Sequence, residues 1–428
     1  MQLSLFLDNP VVCVGSPLTG TVHISLDEPT SITDICVRFK GISFTARMVN
    51  NGQSTYRVTE RHSHADITIS LFDHPRGTIL TPGEHIRLFT VQVPVFSECT
   101  CLAHCDQYNR FRFSCWTCRH TAVDVGLVRT ALPPTCRASH NMYVDYRLVA
   151  SVDRPGIFKW KTSVSNTVTV VPATLVHASD PRYGSGITNT TTEYKMVIHS
   201  AKCDKLPESY FVPGALPRVS GLKKLFSFSS KNSYIDVPIE AEMILYNNSA
   251  SSLGEHLPLE LYISVKVDDI SRIAGILNIK LNALKVVLRS KTSGYAQRYP
   301  NCSTEKNTLL QHNNLDIPLT SEKSEGGGPR FRIDDKVFKS IELGNHIVPD
   351  FDIMGLRHRH KIGAAIGLSF NDGSTRTIEI SRSIVINSGI DYDLDTSMLL
   401  PPRYQIGDYK YEHENATLKF DDDTGFFD

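Results

Sequence analysis

Residues 21–41 read TVHISLDEPTSITDICVRFKG, and they contain two runs in which apolar and polar side chains alternate. The apolar members of the two runs are Val22, Ile24, Leu26, Ile35, Val37 and Phe39. A period of two residues is typical of a β-strand that buries one face and exposes the other. The stretch therefore predicts two consecutive strands, and it indicates an all-β fold because the same pattern returns along the chain.

The alternation returns at four more places within residues 1–172, and turn-forming sequences separate the runs. The runs are 67–71, 88–93, 146–152 and 164–170, and the turns are Asn51-Gly52, Thr81-Pro82-Gly83 and Arg154-Pro155-Gly156. Glycine, proline and asparagine supply the backbone angles that tight turns need. Because no amphipathic helix of convincing length interrupts these short strands, the pattern predicts a β-sandwich and not a parallel sheet.

The second half of the chain has the same character. Its predicted strands are Tyr234–Glu242, Leu259–Val267, Ile279–Leu288, Phe331–Ile333 and Ile362–Phe370. Asn371-Asp372-Gly373 is a hairpin signal, and the return strand carries Ile378 and Ile380. The pattern alone therefore predicts two β-sandwiches in one chain.

The length of 428 residues is too great for one ordinary domain. We predict one immunoglobulin-like sandwich over 1–172, a connector over 173–193 and a second sandwich over 194–390. Residues 303–329 are polar and end in three glycines and a proline, so we expect a long mobile loop. Residues 391–428 are expected to form a short, flexible acidic tail, because ten acidic and three basic residues follow position 387.

The charge balance and the N-terminal sequence limit the classes of function. The chain has 45 basic and 45 acidic residues without a dominant basic block, which argues against nucleic acid as a partner. Residues 1–8 lack the basic region of a signal peptide, and no stretch approaches the ~20 apolar residues of a membrane-spanning helix. We therefore expect a soluble cytoplasmic protein whose ten cysteines are reduced.

Seven parts of the chain match a known family in their order and spacing. They are Val14–Val22, Ser31–Gly41, Leu80–Pro94, Leu132–Thr135 with Val144–Leu148, Pro238–Glu242, Leu257–Leu259 and Val348–Phe351. Together these segments resemble the arrestins, and the resemblance covers most of residues 1–390. It implies that the two sandwiches are arrestin-type N-terminal and C-terminal domains.

Pro401-Pro402-Arg403-Tyr404 forms a PPxY motif in the acidic tail. Adjacent prolines fix the backbone as a polyproline II turn, which WW domains receive between aromatic side chains, while a nearby pocket takes the tyrosine ring. Pro401, Pro402 and Tyr404 are therefore the predicted WW-domain-binding residues, and the resemblance given below makes them ligase-binding residues. The other interpretation is a proline-rich turn with a surface tyrosine. With this motif the chain resembles the α-arrestins, which recruit HECT-type ubiquitin ligases through their PPxY motifs.

The resemblance implies an adaptor and not an enzyme. It would link a WW-domain HECT-type ubiquitin ligase to cytoplasmic tails of membrane transporters or receptors, and so promote their ubiquitination and endocytosis. The adaptor would be cytoplasmic, would reach the plasma membrane and endosomes through its cargo, and would need no cofactor. Many relatives carry several PPxY motifs, whereas this chain has one clear copy, so avidity through several WW domains is not expected. The alternatives are a ligase-independent arrestin-fold scaffold in trafficking or signalling and, third, a β-sandwich enzyme.

Residues 95–131 depart from the arrestin pattern, and they are rich in cysteine. Cys101, Cys105, Cys115 and Cys118 have a spacing that suits a tetrahedral zinc site. The segment also fits a variable loop with free thiols. A third interpretation is translated sequence that is normally spliced out, since the composition changes abruptly.

No recognised catalytic motif occurs elsewhere in the sequence. It lacks the nucleophile elbow of hydrolases, the paired histidines of zinc proteases, a phosphate-binding loop and a dinucleotide fingerprint. His358, His360 and Asp352 lie close in sequence, but we expect this segment to be a solvated polar strand or the start of a loop, and not a metal site.

Overall fold

The structure, a computed structural model, describes the following parts of the chain: residues 1–73, 75, 77–97, 130–155, 161–176, 188–199, 234–245, 250–257, 259–265, 280–318, 321–322, 330–334, 337–338, 341–353, 355–369, 375–393 and 398–399. Over these ranges the chain forms 26 β-strands and no α-helix, which confirms the prediction of an all-β protein. None of these ranges contains a helix long and apolar enough to cross a membrane.

Residues 1–171, which we call the N-half, contain the first eleven strands. These are β1 (Gln2–Leu7), β2 (Val11–Cys13), β3 (Pro17–Leu26), β4 (Thr30–Ile32), β5 (Asp34–Asn50), β6 (Thr55–Ser70), β7 (Thr78–Leu80), β8 (Gly83–Gln92), β9 (Cys136–Ser139), β10 (Met142–Asp153) and β11 (Lys161–Val171). Within the described part of the chain they pair only with each other.

Two main sheets of the N-half contribute to one apolar core. One has the order β1-β3-β8, and the other has the order β2-β11-β10-β5-β6 with β9 added to β10. Val22 and Ile24 of β3 are buried with Val37 of β5 and Leu148 of β10. The alternation that predicted these strands therefore also identified the face that each buries, as expected for strands that bury one side against a shared core.

The remaining strands belong to residues 188–387, which we call the C-half, and to a small third group. They are β12 (Thr174–Val176), β13 (Thr188–His199), β14 (Tyr234–Leu245), β15 (Ala250–Ser252), β16 (Leu259–Val265), β17 (Lys280–Ala296), β18 (Tyr299–His312), β19 (Ile317–Pro318), β20 (Ser321–Glu322), β21 (Arg330–Arg332), β22 (Phe351–Ile353), β23 (Leu356–Ser369), β24 (Thr375–Asn387), β25 (Asp391–Asp393) and β26 (Met398–Leu399).

Two sheets of the C-half repeat the arrangement. One has the order β13-β14-β16-β21-β20, and the other has the order β15-β24-β23-β17-β18, with β19 and β22 attached to β17 and β23. Ser369 of β23 pairs with Thr375 of β24, which confirms the hairpin predicted there. The separate pairing in the two halves is consistent with β-sandwich architecture.

The mobile loop predicted over 303–329 is wrong for its first part. Residues 303–312 belong to β18, which pairs antiparallel with β17 along almost its whole length. β18 is the edge strand of its sheet, and most of its side chains are exposed. An edge strand of this kind forms its backbone hydrogen bonds with the neighbouring strand and needs few apolar side chains. Its polar sequence therefore resembled that of a loop.

The predicted connector and tail also contain paired strands. Within 173–193, β12 occupies 174–176 and β13 begins at 188; within 391–428, β25 occupies 391–393 and β26 occupies 398–399. β12 pairs with β25, and β25 pairs with β26, so that these three short strands form one sheet. We call this the tail sheet. It connects the end of the N-half to the start of the predicted tail.

Candidate functional site

The residues of the two predicted sites lie outside the part of the chain that the structure describes. They are Pro401, Pro402 and Tyr404 of the PPxY motif, and Cys101, Cys105, Cys115 and Cys118 of the cysteine-rich segment. The described residues before the PPxY motif, and those on both sides of the cysteine-rich segment, show how the chain approaches each site.

The PPxY motif begins two residues after β26, the last strand of the tail sheet. Tyr392 of β25 pairs antiparallel with Leu399 of β26. Asp391 of β25 pairs in parallel with Thr174 of β12, and the Thr174 N–H donates a hydrogen bond of 2.7 Å to the carbonyl of the buried Ile390. The chain that precedes the motif is therefore held by backbone pairing with the end of the N-half.

The cysteine-rich segment enters and leaves through a short paired neck, formed by residues 95–97 and 130–132. Phe96 and Ala131 form an antiparallel bridge. The Ser97 N–H donates to the Thr130 carbonyl, and the Leu132 N–H donates to the Val95 carbonyl, both at 2.9 Å. The two ends of the segment between Ser97 and Thr130 therefore lie side by side.

The neck lies against the tail sheet. The ring of Phe96 meets the ring of Tyr392 edge to face, with 5.3 Å between the ring centroids and an angle of 84° between the planes. This geometry is a favoured one for aromatic pairs. The fold therefore brings the bases of the two predicted sites together, although they are separated by almost 300 positions in the sequence.

A buried histidine fastens the neck to the N-half. Nδ1 of His64 lies 2.9 Å from the Ser97 hydroxyl oxygen, and Nε2 lies 2.9 Å from the Ser43 hydroxyl oxygen. Burial, with a smaller contribution from His62, lowers the pKa of His64 from 6.5 to about 3. A neutral imidazole has one donor and one acceptor, and a hydroxyl can fill either complementary role.

Hydrogen bonds join the N-half to the C-half along β17 and β18. The Asn301 side-chain amide donates to the Ala46 carbonyl at 2.8 Å, and the Ser303 hydroxyl donates to the Ala138 carbonyl at 3.1 Å. The Gln297 N–H donates to a carboxylate oxygen of Glu60 at 2.5 Å. We call this region the junction. Its contacts combine residues more than 150 positions apart, which no local pattern indicates.

The expectation of a solvated segment around His358 and His360 is wrong for both histidines, which are buried in β23. Nδ1 of His358 lies 2.7 Å from the Thr292 hydroxyl oxygen, and Nδ1 of His360 contacts Asp350. Burial, followed by the charges of His360 and Arg359, lowers the pKa of His358 to about 3. Successive side chains of β23 point to opposite faces, so Arg357 and Arg359 are exposed while the two histidines are buried.

The described part of the chain holds no metal-binding cluster, and two of its cysteines are buried as neutral thiols. No group of three or more histidine, cysteine, aspartate or glutamate side chains among these residues is placed to hold a metal ion. Burial raises the pKa of the Cys13 and Cys136 thiols to about 12, so both are neutral at physiological pH. A neutral thiol is a poor nucleophile. Cys36 and Cys302 are also free thiols.

No family model matches the chain, and no curated protein matches it at a significant level. The arrestin assignment therefore stays a prediction from the seven segments and the PPxY motif, beside a fold that is all-β with several paired sheets.

Proposed function

We propose that the protein is an adaptor that recruits a WW-domain HECT-type ubiquitin ligase to cytoplasmic tails of plasma-membrane transporters or receptors. The observation that carries this proposal is the position of the PPxY motif. It starts two residues after β26, the last strand before it in the described chain. A ligand motif must be free of sheet pairing to enter a WW-domain groove, and a fixed strand just before it defines where the ligase would be held.

The adaptor would hold the ligase and the cargo close together, and it would perform no chemistry of its own. Pro401 and Pro402 would dock between aromatic side chains of the WW domain, and Tyr404 would fill the adjacent pocket. Because the prolines already restrict the backbone, docking would order few residues. Cargo held on the same molecule would meet the ligase at a high effective concentration, which promotes ubiquitin transfer and endocytosis. The protein would be cytoplasmic and would reach the plasma membrane and endosomes through its cargo.

The first test is the substitution Tyr404→Ala in the full chain. We expect binding to an isolated WW domain, measured by isothermal titration calorimetry, to weaken by at least tenfold, because the tyrosine pocket is left empty. Ubiquitination of cargo in cells should fall in parallel. Tyr411→Ala is the matched control, since it removes a tyrosine from the same region without touching the motif. Equal WW-domain affinity for the Tyr404→Ala and unchanged proteins would refute the proposal.

A ligase-independent scaffold is the second possible function, and the tail sheet is the observation that favours it. Residues 391–393 and 398–399 pair with the rest of the fold, so the start of the acidic region has a structural role apart from any motif. The same substitution separates the two functions. A scaffold would keep its full cargo-trafficking activity with Tyr404→Ala, whereas the adaptor would lose it.

A further inference from the structure

A cleft opens at the junction, beside the hydrogen bonds that join the two halves. Its volume is about 630 Å³, and its lining includes Arg47 of β5, Lys291 and Tyr295 of β17, and Arg357 of β23. Clefts of roughly 300–1,000 Å³ are typical of small-molecule sites. The cleft is therefore large enough for a compact ligand, and both halves of the chain contribute to its walls.

The charge of the cleft is positive. Arg47, Lys291 and Arg357 line it, and its described lining contains no acidic side chain. Arg47 and Lys291 are exposed, and neither forms an ion pair with another described residue. Arg357 binds Asp352 at 2.7 Å, and Asp352 lies outside the lining. Arg47 and Lys291, which have no counter-charge among the described residues, therefore favour an anion in the cleft.

Glu60, an acidic residue of the N-half at the junction, already has two partners. One carboxylate oxygen of Glu60 lies 2.8 Å from Nε2 of His62, and the other accepts the Gln297 N–H at 2.5 Å. Glu60 lies beside the cleft, because a Cβ atom on the lining residue Gly355 would be 3.5 Å from one of its carboxylate oxygens. Among the described residues, Arg47 and Lys291 remain without a counter-charge, whereas Arg357 is paired with Asp352.

The strand register places the cations of the C-half on one face. Lys291 and Ser293 are two residues apart in β17, so their side chains point to the same side of the sheet. Ser293 pairs with Arg357 across the β17–β23 ladder. Directly opposed residues have Cβ atoms about 5 Å apart. Lys291 and Arg357 can therefore both reach a single compact ligand.

Backbone contacts fix the floor of the cleft. The Tyr295 N–H donates to the Gly355 carbonyl at 3.1 Å. A Cβ atom on Gly294 would lie 2.4 Å from that carbonyl oxygen, and Gly355 has a φ of 75°. Both positions therefore need glycine, because a side chain would separate the strands or strain the turn. The cations are thus carried by closely paired strands and not by an unsupported loop.

We propose that this cleft binds a compact anion that carries two or more phosphate groups. Arginine presents a planar set of donors that matches phosphate oxygens, and lysine adds a point charge. Two phosphates would balance Arg47 and Lys291, and they would compete with Asp352 for Arg357. The ligand would bridge the halves, because Arg47 belongs to one and Lys291 and Arg357 to the other. This inference does not depend on the ligase-recruiting function.

The test uses the full chain with tripolyphosphate as the probe. We expect calorimetry to show binding that weakens with added NaCl, and the melting temperature to rise with probe concentration by mass action. The double substitution Arg47→Gln with Lys291→Gln should weaken binding by at least tenfold. The matched control is Lys285→Gln with Arg289→Gln, which removes the same charge from exposed positions of β17 outside the cleft.

Further arms of the experiment distinguish the source of the phosphates. Vesicles with a bisphosphorylated inositol lipid test a headgroup, and a doubly phosphorylated peptide tests a protein partner. Vesicle binding that is lost with the cleft substitutions would identify the headgroup as the source. The proposal is overturned if the cleft and control variants bind tripolyphosphate equally, or if only the peptide binds in the cleft. Unchanged melting temperatures without ligand would show that the variants fold.

Discussion

The imidazole of His64 gives the stability of the protein a specific dependence on pH. In the folded state its pKa is about 3, whereas an exposed histidine titrates near 6.5. Below about pH 6.5 the unfolded chain gains a proton at this position and the folded chain does not. The free energy of unfolding should therefore fall as the pH decreases from 6.5 towards 3, by on the order of 1 kcal/mol per pH unit for this group.

The substitution His64→Gln tests this dependence, because glutamine keeps hydrogen-bonding groups and does not titrate. We expect a smaller loss of stability between pH 7 and pH 5 than in the unchanged protein, as measured by urea unfolding. His140→Gln removes an exposed histidine and serves as the control. If His64→Gln and the unchanged protein lose stability equally over this range, His64 is not the buried neutral group that the structure shows.

At the scale of elements, the described residues that flank the cysteine-rich insertion pair with each other in the neck. Ser97 and Thr130 already form one backbone hydrogen bond, so a two-residue turn can join them. We expect replacement of residues 98–129 by Asn-Gly to leave the melting temperature within a few degrees of the original value. Differential scanning calorimetry provides the measurement.

The same deletion addresses the three interpretations of the insertion. A structural zinc site would contribute folding free energy, so its loss should lower the melting temperature and release metal from the purified protein. A free-thiol loop or a segment that is normally spliced out predicts neither effect. A control deletion that removes Phe96 and Ala131 as well should destabilise the protein, because it breaks the contact between the neck and Tyr392.

At the scale of the whole molecule, the junction determines whether the two halves unfold together. Asn301 and Ser303 each donate one hydrogen bond from the C-half to a carbonyl of the N-half. We expect the double substitution Asn301→Ala with Ser303→Ala to lower the free energy that couples the two halves by roughly 1–3 kcal/mol, the usual value for two such hydrogen bonds. Calorimetry should then show a broader transition or two separate transitions.

The control for the junction is Thr304→Ala with Thr308→Ala, which changes two exposed residues of the same strand. This variant should keep the single transition of the unchanged protein. If the junction variant unfolds in a transition as sharp as that of the control, these hydrogen bonds do not couple the unfolding of the two halves. The comparison also bears on the cleft, whose cations come from both sides of the junction.

Local sequence patterns were sufficient to predict a strand where its own residues alternate between apolar and polar. Val22 and Ile24 alternate with polar neighbours, and the structure buries both. The same reasoning failed for residues 303–312, because an edge strand can be polar along its length and still be paired. It also failed for His358 and His360, since both alternating faces of this part of β23 are polar and the pattern does not show which of them is buried.

The sequence by itself determined the all-β character, most of the strands and the PPxY motif, because each depends on residues a few positions apart. Only the tertiary structure decided that Thr174 pairs with Asp391, that the neck meets the tail sheet, and that Arg47 shares a cleft with Lys291 and Arg357. Such contacts join residues that are hundreds of positions apart. They form when whole sheets pack together, so no short stretch of sequence records them.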